Sequence, residues 1–411
     1  MPLPYLNRVR CLVAVVLLAA LGQSAAAEDA WPEFRGPDGQ GHAEQTGLPT
    51  EWSEKKNIAW KVPVAGRGWS SPVIAHGQIW LTTALDEGHS LRAVCLDLAT
   101  GRSLHDLEVF QAEEPGTVHG KNSYASPTPI IDGDRIYVHF GDLGTACLTS
   151  AGAVIWRCEE LKYSHGHGPA GSPVIYDDLL IVSCDGTDVQ YVAALDKHTG
   201  KLRWKTDREG RMAYSTPLVI QVDGRDQLVS TGGEQAMAYE PASGKEIWRV
   251  RYDGYSEVPR PVFGQGLVFL ATGYDTPWLY AVRPNGRGDV TDTHVEWKLQ
   301  RGAPLNPSPL VIDDRLYLVD DKGIANCLEA KSGQKIWQKR LGGNFSASPL
   351  SADGKIYFTN EEGRTTVIRP ADHYTELAVN EIDGSTLASL AVSGHALLLR
   401  SATHLYRIEE K

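Results

Sequence analysis

An all-β, eight-bladed β-propeller of four-stranded antiparallel blades is the fold this sequence predicts, and three observations predict it. A dipeptide of Ser or Thr (once Arg) followed by Pro recurs at intervals of about 40 to 55 residues, the length of one four-stranded blade. A second motif, A-x-D-x-x-T-G-x-x-x-W, follows most of these markers. Finally, the two ends of the repeat region each look like part of one unit, so that an N-terminal strand would complete the last blade.

Taken in chain order, residues 1–27 read as a signal peptide. Arg8 and Arg10 precede a short apolar run from Cys11 to Leu21, and Ala25-Ala26-Ala27 offers a small-residue cleavage site. That run is short for a membrane span, and no later stretch is long enough for one. The chain is therefore expected to be exported, periplasmic or extracellular, with no membrane span after cleavage. Residues 28–56 fall outside the repeats, and Trp31-Pro32-Glu33-Phe34-Arg35-Gly36 is expected to pack on the outside of the ring. The propeller occupies 57–411.

Within it, Asn57 to Val64 looks like a fourth strand lacking the three before it. Thr386 to Glu409 looks like three strands lacking a fourth. Joined, they make one blade and remove two exposed edges. The markers Ser71-Pro72, Ser126-Pro127, Ser172-Pro173, Thr216-Pro217, Arg260-Pro261, Ser308-Pro309 and Ser348-Pro349 open the other seven, and Ser389-Leu390 is a degenerate eighth. Each unit reads as short runs of β-branched and aromatic residues between Gly and Asp turns, the pattern of hairpin meanders. The recurring Trp60, Trp156, Trp204, Trp248, Trp297 and Trp337 are expected to dock one blade on the next, with His105 in that place in the first unit. Cys95, Cys147 and Cys327 share one repeat position, each before Leu. An odd, scattered set of five cysteines after the signal is a set of small buried hydrophobes, not a disulfide framework.

The whole chain has a formal charge of −11. Removing a signal with two Arg and no acid leaves −13, which argues against a nucleic-acid partner. There is no Ser-His-Asp motif, phosphate loop, C-x-x-C pair or haem site in the sequence.

At its A-x-D-x-x-T-G-x-x-x-W copies the chain resembles the PQQ-like (pyrroloquinoline quinone) repeat propellers, over about residues 57 to 409. That superfamily holds quinoprotein alcohol and glucose dehydrogenases. It also holds the cofactor-free propeller lipoprotein of the outer-membrane assembly machine. His119-Gly120-Lys121-Asn122-Ser123-Tyr124-Ala125-Ser126-Pro127 and Gly286-Arg287-Gly288-Asp289-Val290-Thr291 look like a secreted subgroup of planctomycete-type bacteria. The resemblance implies PQQ with calcium as a cofactor. The dehydrogenases, however, carry a Cys-Cys pair, a calcium-binding carboxylate and Asn, and an Asp base. No Cys-Cys stands here, and the other positions find no matching motif, so no cofactor is assigned.

In such a ring, the loops entering each first strand and those joining second to third strands surround one channel mouth. There the repeat no longer dictates side chains. Entry loops carry His119, Lys121, Asn122, Tyr124, His165, His167, Arg211, Tyr214, Tyr255, Arg260 and Asn306. The second set carries Asp142, Asp185, Asp188, Asp275, Asp320 and Asp321. Three readings of this rim stand. It is a binding surface for a glycan or protein partner, in which Tyr stacks and Asn, Asp and Arg hydrogen-bond. Or it is an enzyme site, with His165-Gly166-His167 and Asp185 or Asp188 holding a metal or acting as base. Or its Asp and Gly residues only make turns. The first is preferred: a non-catalytic binding or scaffolding module, expected to be a monomer. The alternative is a PQQ- or metal-dependent oxidoreductase acting on an alcohol or sugar.

Overall fold

The short apolar runs do become strands, and the turns between them do set their lengths. A computed structural model describes Met1 and residues 30–410; the expected signal sequence lies, but for Met1, outside the described residues. Eight antiparallel sheets follow one another as blades of a ring, at residues 73–111, 130–158, 174–207, 218–251, 262–299, 310–340, 350–381 and 391–409. The last is closed by Ile58–Pro63, which pairs antiparallel with His404–Glu409, Lys61 opposite Tyr406 and Val62 opposite Leu405. First strands of neighbouring blades touch one another around the central channel. Among the described residues no helix is long and apolar enough to cross a membrane.

The repeat motif has a packing reason in every part. Trp156, Trp204 and Trp337 stand across the strand pair from Cys147, Ala194 and Cys327, so a large ring meets a small side chain. The indole then points to the next blade. Trp60 donates its N–H to the Leu98 carbonyl, Trp156 to Lys197, Trp204 to Pro241, Trp297 to Ala330 and Trp337 to Ala371. These acceptors all lie in the third-to-fourth-strand turn of the following blade. The Gly of that turn is needed twice. At Gly200 φ is +73°, and a Cβ there would lie 2.6 Å from the Trp156 ring. In the first blade His105 takes the Trp position opposite Cys95, and stacks on Trp80 at 5.9 Å. Trp248 differs. It donates to Gln227 within its own blade, because the corresponding turn of the fifth blade is extended and lays Gly288–Asp289 parallel to Trp248 and Arg249. All five described cysteines are buried free thiols. Burial pushes Cys95 up to about 12 and Cys147 and Cys327 up to about 11, so the thiolate form is suppressed.

Two expectations are corrected. The marker of the second blade is Thr128-Pro129, two residues after Ser126-Pro127, because the strand starts at Ile130. Trp31 to Gly36 does not pack on the outside of the ring. Trp31 bridges to Ile74 of the first blade, and Pro32 accepts from the Ile131 N–H of the second. Gln40 accepts from Phe263 N–H of the fifth blade at 2.5 Å, and His42 reaches the Val311 carbonyl of the sixth. His42–Ala43 pairs parallel with Ser351 and Ala352 of the seventh. The chain thus crosses the channel over the innermost strands, whose inner edges supply unpaired backbone groups. From there Leu48 and Trp52 bury themselves against blades seven and eight, Trp52 stacking on Tyr357 at 6.2 Å.

Candidate functional site

The markers build the floor of a bowl. Each marker residue donates its N–H to the hydroxyl of the next blade's marker. Ser71 bonds to Thr128, Thr128 to Ser172 and Ser172 to Thr216, at 2.9 to 3.0 Å. Arg260 bonds to Ser308, Ser308 to Ser348, Ser348 to Ser389 and Ser389 back to Ser71, at 2.9 to 3.1 Å. The circle is broken once, between Thr216 and Arg260, where the guanidinium replaces a hydroxyl. There Arg260 donates instead to Pro217, to the Phe34 carbonyl and, at 3.4 Å, to Glu33. Phe34 of the crossing segment also lines this floor. Every hydroxyl in the circle accepts a backbone N–H and so keeps its own proton to donate.

Above the floor lies a cavity of about 580 Å³, a size suited to a small organic ligand. Its wall carries Trp69, Tyr214, Tyr255 and Tyr274, the imidazoles of His119 and His167, the side chains of Asn122, Asn306 and Lys121, and further serines. The aromatic side is braced. His119 and His167 meet edge-on at 5.5 Å, and His167 lies 5.9 Å from Tyr214. The His167 carbonyl accepts from the His119 N–H and from Asn122 Nδ2, and the Tyr214 hydroxyl donates to His165 O. Tyr255 and Tyr274 bond backbone to backbone, with the Arg211 guanidinium 3.4 Å above the Tyr255 ring. Asn306 donates to Asp321, which also accepts the Leu305 N–H. Across the mouth, Lys121 pairs with Glu361 at 2.8 Å, and Ser346 donates to the same carboxylate.

The structure separates the residues predicted for the rim. His119, Lys121, Asn122, His167, Tyr214 and Asn306 line the bowl. Arg211 braces Tyr255 from outside it. His165 is buried, its Nε2 3.0 Å from Asp142, so H-x-H splits between wall and interior. Asp185 is also a correction: it forms a bidentate ion pair with Arg208, both side chains 1% exposed. Burial opposes that guanidinium's charge, and Asp185 more than offsets it, holding Arg208 above its ordinary value. Arg260 lies under the floor. Tyr124 covers Gly88 and donates to Gly116. Asp188 accepts from Ser164 and Val189 N–H groups, and Asp320 from Lys322 and Ile324, so both make turns. Asp275, at the exposed tip of its loop, accepts from Thr276. Phe34, Trp69 and Tyr274 were not among the predicted residues. Trp69 and Tyr274 had a signal, as aromatics just outside the repeat.

The bowl does not fit the calcium-bound quinone that the repeat's resemblance implies. No carboxylate is among its lining residues, and the cysteines are spent in blade packing. Among the described residues no three of His, Cys, Asp and Glu are grouped to hold a metal ion.

Fold and floor together define a repeat-built propeller with its open site at one channel mouth. The family model PQQ_2, described as outer membrane protein assembly factor BamB, matches residues 43–186, 144–221 and 188–411. The chain belongs to that family of PQQ-like repeat propellers. Among curated relatives, the dehydrogenase subunit of the quinone alcohol dehydrogenase of Gluconobacter oxydans (strain 621H) is 22% identical over 316 residues, 68% of this chain and 39% of that protein. BamB of Nitrosomonas eutropha is 25% identical over 227 residues, 51% of this chain and 50% of its own. The chain therefore spans half or less of the length of these relatives. Among solved structures, a europium-containing methanol dehydrogenase has a TM-score of 0.69 at 11% identity, covering 92% of this chain and 90% of that one. BamB from Moraxella catarrhalis has 0.61 at 14%, covering 86% and 97%. At such identities the likeness is one of fold.

Proposed function

We propose that this chain is an exported, non-catalytic binding propeller whose bowl takes a saccharide. The observation that carries the reading is the bowl's lining: flat aromatic rings on the wall and a circle of hydroxyl groups beneath. Stacked rings accept the apolar face of a sugar, and hydroxyls and amides match its polar edge. Export rests on the N-terminal sequence alone. The competing reading, a quinone-dependent oxidoreductase, draws on the names of the relatives, and the donor set of the bowl does not favour it.

Titration calorimetry with neutral and charged oligosaccharides tests the proposal. Tyr274, 52% exposed, and Trp69 are the residues to change. Tyr274→Ala and Trp69→Ala should each weaken binding about tenfold or more, at about 1–3 kcal/mol per lost anchor, with little change in melting temperature for Tyr274→Ala. Failure of every oligosaccharide to bind would overturn the reading. So would a gain, on adding PQQ and calcium, of quinone absorbance and alcohol-dependent dye reduction.

A further inference from the structure

Three buried guanidinium groups lie in or beside the hydroxyl circle. Arg260 occupies a position in that circle. Arg35 donates to the Pro309 carbonyl, next to Ser308, and Arg400 donates to Ser70, next to Ser71. All three are 2% exposed. Glu33 is the one carboxylate in ion-pair contact with any of them, and it meets Arg260. Asp38, the other acid of the crossing segment near Arg35, is bonded to His42 at 2.5 Å and stands partly in solvent. Arg400 is held by carbonyls and a hydroxyl alone. Nε and Nη1 of Arg35 have no partner. Arg400 is thus left without a counter-charge, and Arg35 has only the partly exposed Asp38.

The polar lining of the bowl leans the same way. Seven hydroxyls of the circle have spent an acceptor site and retain a donor. Lys121 N–H donates to His119 Nδ1, which leaves Nε2 of that ring as its donor toward solvent. The nearest acids do not cancel this. Glu361 is engaged by Lys121 and Ser346. Glu257 sits between the lining residues Ser256 and Val258, but it is fully buried, and burial holds its carboxyl well above the ordinary range.

We propose that the bowl selects an anionic saccharide, with a sugar carboxylate resting on the hydroxyl circle close to Arg400 and Arg35. This rests on the saccharide reading of the bowl and adds the charge of its ligand. A buried, unpaired guanidinium is unfavourable, and a carboxylate close to it supplies the missing charge in a place poorly screened by salt. Burial lowers Arg35 and Arg400 to about 9, so both remain charged at neutral pH.

The test compares a galacturonate trimer with a galactose trimer, which differ in the acid group, by calorimetry on the full chain. The expected result is a preference for the galacturonate trimer of about tenfold or more. Arg400→Met should bring the two affinities close to parity, while Arg400→Lys keeps the preference. Arg35→Met provides a second charge removal at a different blade. Equal binding of both trimers by the wild-type chain, or tighter binding of the neutral one, overturns the proposal and leaves the saccharide reading standing. An unchanged preference in folded methionine variants also overturns it. Absence of binding by both trimers removes the saccharide reading itself. Should the methionine variants not fold, the wild-type comparison decides.

Discussion

At the scale of single residues, burial sets the chemistry more firmly than residue type. Asp185 looks in the sequence like half of a D-G turn, and Asp188 three residues on does make a turn. What distinguishes them is Arg208, 23 residues away, which turns Asp185 into half of a buried pair. Glu257 has no such partner: both carboxylate oxygens are buried without a hydrogen bond. Its pKa is raised by desolvation, so the native chain holds its proton where the unfolded chain has lost it. The stability linked to this group is complete below the ordinary carboxylate value of 4.5. It declines as pH rises toward the folded value. Glu257→Gln should therefore melt higher than wild type at pH 8, by about 1 kcal/mol or more, and the difference should shrink toward pH 4. Thermal melts across that range check this; a gap that widens on acidification contradicts it.

At the scale of elements, five of the eight blades are each tied to the next by an indole, four of them over a glycine. Trp204→Ala removes a ring that lies against Gly244 and a hydrogen bond to Pro241. It should cost about 3–5 kcal/mol, read from denaturant midpoints. A loss near zero would mean the ring is dispensable. The repeated elements were legible because repetition averages out local accidents: Ser-Pro, Thr-Gly and Trp recur with the same spacing. The blade-two marker was misplaced because two such dipeptides, Ser126-Pro127 and Thr128-Pro129, stand side by side and only the strand start chooses between them. The crossing segment was not legible at all. Residues 31–43 occur once, and their partners, from Ile74 to Ala352, lie 43 to 309 residues away. For the same reason half of the bowl was found from the sequence. His119, Asn122 and Tyr214 stand out from their repeat, whereas Phe34 reaches the floor from outside it.

At the scale of the whole molecule, closure is what converts eight separate sheets into one cooperative unit. Ile58–Pro63 covers the outer edge of His404–Glu409. Without it, eight blades would end in an open strand edge and an unfilled last sheet. A chain lacking Asn57–Val64 should fail to elute as the full chain does in size-exclusion chromatography, or should melt without cooperativity in calorimetry. A truncated chain with a wild-type melt would show that the ring holds without its clasp. The crossing segment has a different consequence, because it reaches from the first two blades to the fifth, sixth and seventh across the channel, on the side away from the bowl's mouth. A ligand that enters the bowl is then expected to leave by the same doorway, so that its dwell time is governed by a single exit. A long polymer is expected to offer only a terminus or a bend.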